Sequence, residues 1–146
     1  DEYLKVCQRH LLSGYQFDGK RYVEIINELT LSNQKLIEII KKELSKKYLV
    51  GIVSNHPKEW FERFLDKTKL GKIIKIRAVS CYEHVRKPSI EIFQVALNQA
   101  HVKPEEAIYI DDREEMQIEA KEMGMNTIVF DGDIEKLMKK IKKNNY

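Results

Sequence analysis

The stretch YLVGIVSN, at residues 48–55, consists of apolar and β-branched residues without polar alternation until it reaches Ser54 and Asn55. A parallel strand that is covered on both faces has this pattern, because neither face presents polar side chains to water. The stretch therefore predicts a short buried strand over residues 48–53. Three further strands are predicted at residues 73–80, 107–110 and 127–130.

Helical patterns separate the predicted strands. Apolar residues recur at helical spacing over residues 33–47, where Ser32 or Asn33 is available as the cap. Further helices are predicted to begin at Pro57 and at Lys87-Pro88, and another follows Asp111-Asp112 and stops at Gly124. Strands that alternate with helices indicate βαβ crossovers. The predicted fold class is therefore α/β, with a doubly wound, Rossmann-like parallel sheet.

The composition excludes several classes of protein. The 146 residues are 42% hydrophobic, which suits one domain with a sizeable core. Lys and Arg number 26 against 23 Asp and Glu, and both signs are interleaved, so no nucleic-acid partner is expected. No apolar run is long enough to cross a bilayer, and the first residues lack the features of a signal peptide. We therefore expect no membrane partner and a cytoplasmic location.

The two ends of the chain are interpreted separately. Residues 1–32 have a helical pattern but no strand of the sheet type, so we expect a helical element there and an α/β core at residues 33–146. Because the chain begins with Asp1 rather than Met, we expect a piece of a longer protein. Cys7 and Cys81 are isolated and are expected to be reduced. A run of lysines near the other end is interpreted as a solvated helix face: Lys136, Lys139, Lys140, Lys142 and Lys143.

Polar residues follow two of the predicted strands. Ser54 and Asn55 come after the first, and Asp111 and Asp112 after the third, where a doubly wound sheet places its binding sites. Each pair also has an ordinary interpretation as a helix cap. Adjacent carboxylates repel each other unless a cation or a lysine lies between them, so the two aspartates also indicate a divalent-metal site. Lys87, taken alone, is interpreted as an exposed residue before a helix.

These features occur in one order: Ser-Asn after a strand, Lys-Pro at the start of a helix, and Asp-Asp after a later strand. The order resembles motifs II, III and IV of the haloacid dehalogenase (HAD)-like hydrolase superfamily, in its phosphatase-like subgroup with a helical cap. The resemblance covers residues 45–132, in the runs GIVSN at 51–55, RKPSIEIF at 86–93 and IYIDD at 108–112. Residues 1–32 are similar to the end of that helical cap.

The resemblance implies a Mg²⁺-dependent phosphatase that acts on a small phosphorylated substrate through an aspartyl-phosphate intermediate. Ser54 would be catalytic and, with Asn55, would bind the phosphoryl group. Lys87 would be the second catalytic residue, which neutralises the charge that the reaction develops. Asp112 would bind the metal directly, and Asp111 would bind it directly or through water.

Two departures from the family pattern favour an alternative. Motif I, an Asp-x-Asp that ends a buried strand and supplies the nucleophile, is absent, and Phe17-Asp18-Gly19 is the nearest phrase. The chain alone is therefore expected to be inactive. Met116 stands where many relatives have Asn, and Glu119 where they have a small residue, so the metal site is expected to lack a supporting hydrogen bond. The alternative is a non-catalytic HAD-fold binding or regulatory protein. A phosphorylation receiver domain has the reverse order of acidic pair and lysine and is disfavoured.

The absence of motif I also affects the strand pairing that is expected in the sheet. The resemblance implies that the missing strand lies between the strands at residues 48–53 and 107–110. Each of these would have an unpaired edge, and buried unpaired backbone groups cost about 1–3 kcal/mol each. We expect that the strand is present in the parent protein, that another chain supplies it through self-association, or that rearranged pairing replaces it.

Overall fold

The computed structural model describes residues 2–10, 15–29 and 33–143. The strands in this part of the chain are β1 (Gly51–Ser54), β2 (Ile76–Val79), β3 (Ile108–Asp111) and β4 (Asn126–Val129). The helices are α1 (Glu2–Arg9), α2 (Gly19–Leu29), α3 (Gln34–Lys42), α4 (Lys58–Thr68), α5 (Ser80–Glu83), α6 (Ile90–Ala100), α7 (Ile118–Glu122) and α8 (Ile134–Lys143). Short 3₁₀ turns lie at Leu44–Lys46, Leu70–Lys72, Pro104–Glu106 and Glu114–Met116.

The strands form two parallel pairs. β1 runs beside β2, with Gly51 opposite Ile76, and β3 runs beside β4, with Asp111 opposite Val129. Within the described ranges these pairs are two separate two-stranded sheets, and β1 does not pair with β3. The α/β class with parallel strands is confirmed. The two sheets separate β1 from β3, the strands between which the resemblance places the missing central strand.

One helix on each face packs against both sheets. The cluster around α6 includes side chains from β1, β2 and β3, namely Val53, Ile76, Ala78 and Tyr109 with Ile92 and Phe93. On the other face, α3 places Ile37 in a cluster with α4 and β2, and Leu36 in a cluster with β4 and α8. Burial of apolar surface against a shared helix is the main favourable contribution in such layers. Helices α3 and α6 therefore hold the two sheets together.

Several predicted boundaries are wrong by a few residues. The helix expected over residues 33–47 ends at Lys42, because the chain tightens into a 3₁₀ turn in which the Lys47 amide donates to the Leu44 carbonyl. The first strand consequently begins at Gly51 rather than at residue 48. The helix expected at Lys87-Pro88 begins at Ile90, since a turn closed by the Ser89 amide and the Arg86 carbonyl precedes it. The short helix α5 was not predicted.

Two predicted helix termini are confirmed. Asn33 caps α3, because its Oδ1 accepts a hydrogen bond from the Leu36 amide at 3.0 Å; Ser32 lies outside the described residues. Gly124 follows α7 with a φ of +94°, a left-handed conformation that favours glycine. The Met125 amide donates back to the Ala120 carbonyl across this turn, which is the Schellman arrangement. The helix after the acidic pair begins as a 3₁₀ turn and continues as α7.

The ends of the chain agree with the helical interpretation. Helices α1 and α2 lie within the segment expected to be helical, and the Tyr22 ring is 5.7 Å from the Trp60 ring of α4. The division of the chain at residue 32 stays a prediction.

The lysines of α8 are exposed while its apolar stripe is buried, which confirms the solvated face. Cys7 and Cys81 are free thiols. No helix in the described ranges has the length and apolar character required to cross a membrane.

Candidate active site

The side chain of Asn55, directly after β1, is bonded to the main chain of Lys87. Its Nδ2 donates to the Lys87 carbonyl at 2.9 Å, and its Oδ1 accepts from the Lys87 amide at 2.8 Å. Paired bonds of this kind fix both partners, because an amide side chain has one donor and one acceptor end. Asn55 therefore holds the turn before α6 against the carboxyl end of β1. Within the described residues these are the hydrogen bonds that its side chain makes.

The side chain of Lys87 reaches the end of the other sheet. Its Nζ donates to Asp111 Oδ2 at 2.6 Å and to the Tyr109 hydroxyl at 3.0 Å. Only 11% of the Lys87 side chain and 7% of the Asp111 side chain are exposed. The Tyr109 hydroxyl in turn donates to Asp111 Oδ2 at 2.5 Å. A lysine ammonium, a phenol and a carboxylate thus form one nearly buried cluster where β3 ends.

The electrostatics of this cluster favour an ionised Asp111. Desolvation opposes ionisation, but hydrogen bonds from Lys87, Tyr109 and the Arg113 amide outweigh it and lower the pKa of Asp111 to about 2. Desolvation raises the pKa of Tyr109, and its hydrogen bond to the Asp111 carboxylate raises it further. The phenol therefore stays protonated, and Lys87 and Asp111 form a charge-assisted pair.

Ser54 and Asp112 lie at the same ends of the strands without joining the cluster. Ser54 is the last residue of β1 and is half-buried, and its hydroxyl makes no hydrogen bond to any residue in the described ranges. Asp112 is exposed and likewise bonds to no described side chain. Asp112 is among the residues that line an open groove of about 610 Å³, which runs along the ends of β3 and β4 to Leu36 of α3. Asp131 lines the same groove but is paired with Lys136.

The sequence-predicted residues are therefore brought together in part. Direct contacts join Asn55, Lys87 and Asp111, which lie far apart in the sequence. His56 stands beside them at the surface, in the loop after β1, and its pKa is lowered by desolvation and then by the Lys87 ammonium. These residues converge because the strands are parallel, so that the carboxyl ends of β1 and β3 lie at one edge.

Comparison with known proteins assigns the family. A family model described as haloacid dehalogenase-like hydrolase matches residues 9–130. The chain belongs to the HAD-like hydrolases. This confirms the resemblance that the motifs indicate.

Two curated relatives are, by name, a phosphatase and a hydrolase. This HAD-like chain is 38% identical over 100 residues to glyceraldehyde 3-phosphate phosphatase of Pyrococcus furiosus, with 66% of the chain and 40% of the relative covered. It is 28% identical over 131 residues to the chloroplast flavin mononucleotide hydrolase 1 of Arabidopsis thaliana, with 89% and 45% covered. The chain thus spans less than half the length of these relatives.

A solved structure agrees on the fold. The crystal structure of a HAD-superfamily hydrolase from Ehrlichia chaffeensis superposes with a TM-score of 0.62 at 20% identity. The superposition covers 88% of this chain and 72% of the other. The HAD-like α/β fold is therefore shared even where the sequences have diverged.

Two residues of this HAD-like site were not predicted from the sequence. Tyr109 lies two residues before Asp111 on β3, so both side chains point to the same side of the sheet, and this spacing was a usable signal. Gln117 is buried at 4% exposure, and its Nε2 donates to the main-chain carbonyls of Asp111 and Ile128. No pattern in the sequence distinguishes Gln117 from an exposed glutamine. Met116 is half-buried and, as expected, donates no side-chain hydrogen bond.

The side chains at this site that could bind a metal ion suit one kind of metal. The described residues contain no group of three or more His, Cys, Asp and Glu side chains arranged to hold an ion. Asp111 and Asp112 supply two adjacent carboxylates, and Mg²⁺ is commonly bound by one or two carboxylates together with water and substrate phosphate. Zinc, which takes three or four nitrogen and sulfur ligands, does not match these residues. The acidic pair therefore fits Mg²⁺ with the remaining positions left to water and substrate.

Proposed function

We propose that the chain is the main part of the catalytic core of a Mg²⁺-dependent phosphatase that acts on a small phosphorylated metabolite. The observation that carries the proposal is the cluster in which Lys87 lies 2.6 Å from Asp111 at the carboxyl end of β3, beside the groove that Asp112 lines. The names of the two curated relatives, which describe hydrolysis of small phosphate esters, support the choice of substrate class.

Each residue has a role that follows from its position. Lys87 carries a fixed positive charge on a nearly buried side chain, and such a charge stabilises a phosphoryl group more strongly than an exposed lysine does. Ser54 lies at the end of β1, and its hydroxyl, which bonds to no residue in the described ranges, donates to a phosphoryl oxygen. Asn55 keeps Lys87 in place because its side chain bonds to the main chain of Lys87. We therefore assign Asn55 a positioning role, in addition to its predicted contact with the substrate.

The acidic pair holds the metal in this proposal. Asp112 is the direct ligand, since this residue is exposed, lines the groove, and makes no side-chain bond to a described residue. Asp111 contributes through water, since Lys87, Tyr109 and the Arg113 amide already occupy its oxygens. When bound, Mg²⁺ neutralises phosphoryl charge and orients the substrate.

The nucleophile comes, in this proposal, from a strand of the parent protein that enters between β1 and β3. Support comes from the two open strand edges, because each of these strands is paired on one side only within the described residues. An aspartate at the end of that strand would attack phosphorus, the alcohol would leave with a proton from a second acid, and water would hydrolyse the aspartyl phosphate. Self-association through the open edges stays a prediction.

A second candidate is a non-catalytic HAD-fold protein. It is favoured by the absence of Asp-x-Asp from the 146 residues and by the pairing of Lys87 with Asp111, which satisfies both charges without a substrate. Such a protein would bind anions weakly and turn nothing over. The two candidates differ in whether the parent protein hydrolyses phosphate esters.

The test is a phosphatase assay on the full-length parent with a panel of small phosphate esters, including glyceraldehyde 3-phosphate and flavin mononucleotide. We expect turnover that requires Mg²⁺, is abolished by EDTA, and falls at least about 100-fold in Asp112→Asn and Lys87→Met. Asp131→Asn is the matched control, because Asp131 lines the same groove but is paired with Lys136. Turnover that survives Asp112→Asn or needs no metal would contradict the phosphatase proposal, and no turnover at all would favour the non-catalytic candidate.

A further inference from the structure

Gln117 is a polar side chain in a buried position. It is 4% exposed, and Thr68 is the other polar residue of comparable burial in the described ranges. Burying an amide is unfavourable unless its hydrogen-bonding groups find partners. The bonds that Gln117 makes therefore explain why a glutamine is tolerated at the start of α7.

The partners of Gln117 are main-chain carbonyls at the ends of two strands. Its Nε2 lies 2.9 Å from the Asp111 carbonyl oxygen and 3.0 Å from the Ile128 carbonyl oxygen. The Asp111 carbonyl also accepts the Phe130 amide at 2.9 Å, so Gln117 supplies its second donor at the point where the β3–β4 ladder ends. One side chain thus ties the end of β3 to the end of β4.

The main chain of Gln117 is hydrogen-bonded as well as its side chain. Its amide donates to the Glu114 carbonyl at 2.9 Å, and its carbonyl accepts from the Lys121 amide in α7. Residues 112–116 therefore form a loop whose two ends, Asp111 and Gln117, are joined by the Gln117 side chain. Asp112 is the first residue of that loop, and Arg113, the second, donates its amide to Asp111 Oδ1.

We propose that Gln117 is the positioning residue of the acidic pair. By closing the loop it keeps the Asp111 carboxylate on Lys87 and keeps Asp112 beside it at the groove. The part of this inference that concerns Mg²⁺ rests on the proposed function. Met116, its neighbour, has no donor for this purpose, and Gln117 supplies the amide from the next position along the chain.

Gln117→Met tests the proposal in the full-length protein, since methionine matches the length of glutamine and removes its donors. Thr68→Val is the matched control, because it removes one buried side-chain bond, to the Phe64 carbonyl, away from the site. Titration with Mg²⁺ alone, followed by calorimetry, gives the metal affinity. Amide hydrogen exchange at Arg113 reports the loop directly and requires no metal.

We expect Gln117→Met to weaken Mg²⁺ binding about tenfold and to speed exchange at Arg113 more than Thr68→Val does. Equal behaviour of the two variants in both measurements would overturn the proposal, because Gln117 would then act on stability alone. If Asp112→Asn leaves Mg²⁺ affinity unchanged, the proposed metal site fails, while exchange at Arg113 still decides the role of Gln117. Gln117→Asn, whose amide is too short to reach both carbonyls, replaces the methionine variant if that one does not fold, with the same expected outcomes.

Discussion

The Lys87–Asp111 pair predicts a specific dependence of stability on pH. Asp111 has a pKa of about 2 in the folded protein, against 3.8 when it is unperturbed. Because the folded-state pKa is the lower one, the contribution of the carboxylate is complete above pH 3.8 and is lost as the pH falls through about 2. After screening by solvent is taken into account, this lowering of the Asp111 pKa corresponds to a contribution to stability on the order of 1–2 kcal/mol.

The perturbation is Asp111→Asn, which keeps the shape of the side chain and removes its charge. We expect the variant to be less stable than the parent at pH 6, because it leaves the Lys87 ammonium, at 11% exposure, without its counter-charge. Part of the stability difference between the parent and Asp111→Asn depends on the ionisation of Asp111. That part should be about half as large at pH 3 as at pH 6. Lys87→Met and the double variant complete a cycle that isolates the coupling between the two residues.

The assay is urea unfolding followed by far-ultraviolet circular dichroism at pH 6, 5, 4 and 3. Asp131→Asn serves as the control, because Asp131 forms an exposed pair with Lys136, for which only a small contribution is expected. If the stability difference between the parent and Asp111→Asn is the same at pH 6 and pH 3, the assigned ionisation of the pair is wrong. A coupling near zero in the double-variant cycle would lead to the same conclusion.

Three further predictions concern single positions. Tyr109→Phe removes the hydroxyl that bridges Lys87 and Asp111. The variant should lose about 1 kcal/mol of stability in urea unfolding, and the pKa of Asp111 measured by carboxyl NMR should rise. An unchanged pKa of Asp111 would contradict the bridging role. Gly51→Ala should destabilise by about 1–3 kcal/mol, because a Cβ there would lie 2.8 Å from the Ile76 Cβ, and wild-type stability would contradict the close approach of β1 and β2. Asn33→Ala should lower stability by about 1 kcal/mol through loss of the α3 cap, whereas Asn33→Ser should be nearly neutral.

The order of the elements could be predicted from the sequence because it depends on burial patterns. The apolar run before Ser54 and the glycine at 124 each predict a feature that the structure has, since a buried strand and a left-handed turn restrict the residue types that fit. Element ends were less predictable. The Leu44–Lys46 turn and helix α5 depend on tertiary packing, which local propensity does not determine.

The sequence predicted that some residues of the candidate site would lie close together, but it did not predict the bonds between them. The predicted parallel sheet places Asn55, Lys87 and Asp111 near one another, and in the structure they are in contact although β1 and β3 belong to separate sheets. The sequence alone gave no reason to expect that Asn55 would bond to the Lys87 main chain, because both groups have many alternative partners. Gln117 was missed for a related reason, since its burial follows from the packing of α7 and not from any periodicity.

Lys87 connects the two sheets through different parts of one residue. Its main chain is bonded to Asn55, beside β1, and its ammonium group is bonded to Asp111, at the end of β3. Any change in the spacing between the sheets must therefore either move the lysine chain between rotamers or break one of these contacts. A probe of the Lys87 side chain, such as the ¹⁵N resonance of its ammonium group, would thus report whether the contact between the two sheets is intact.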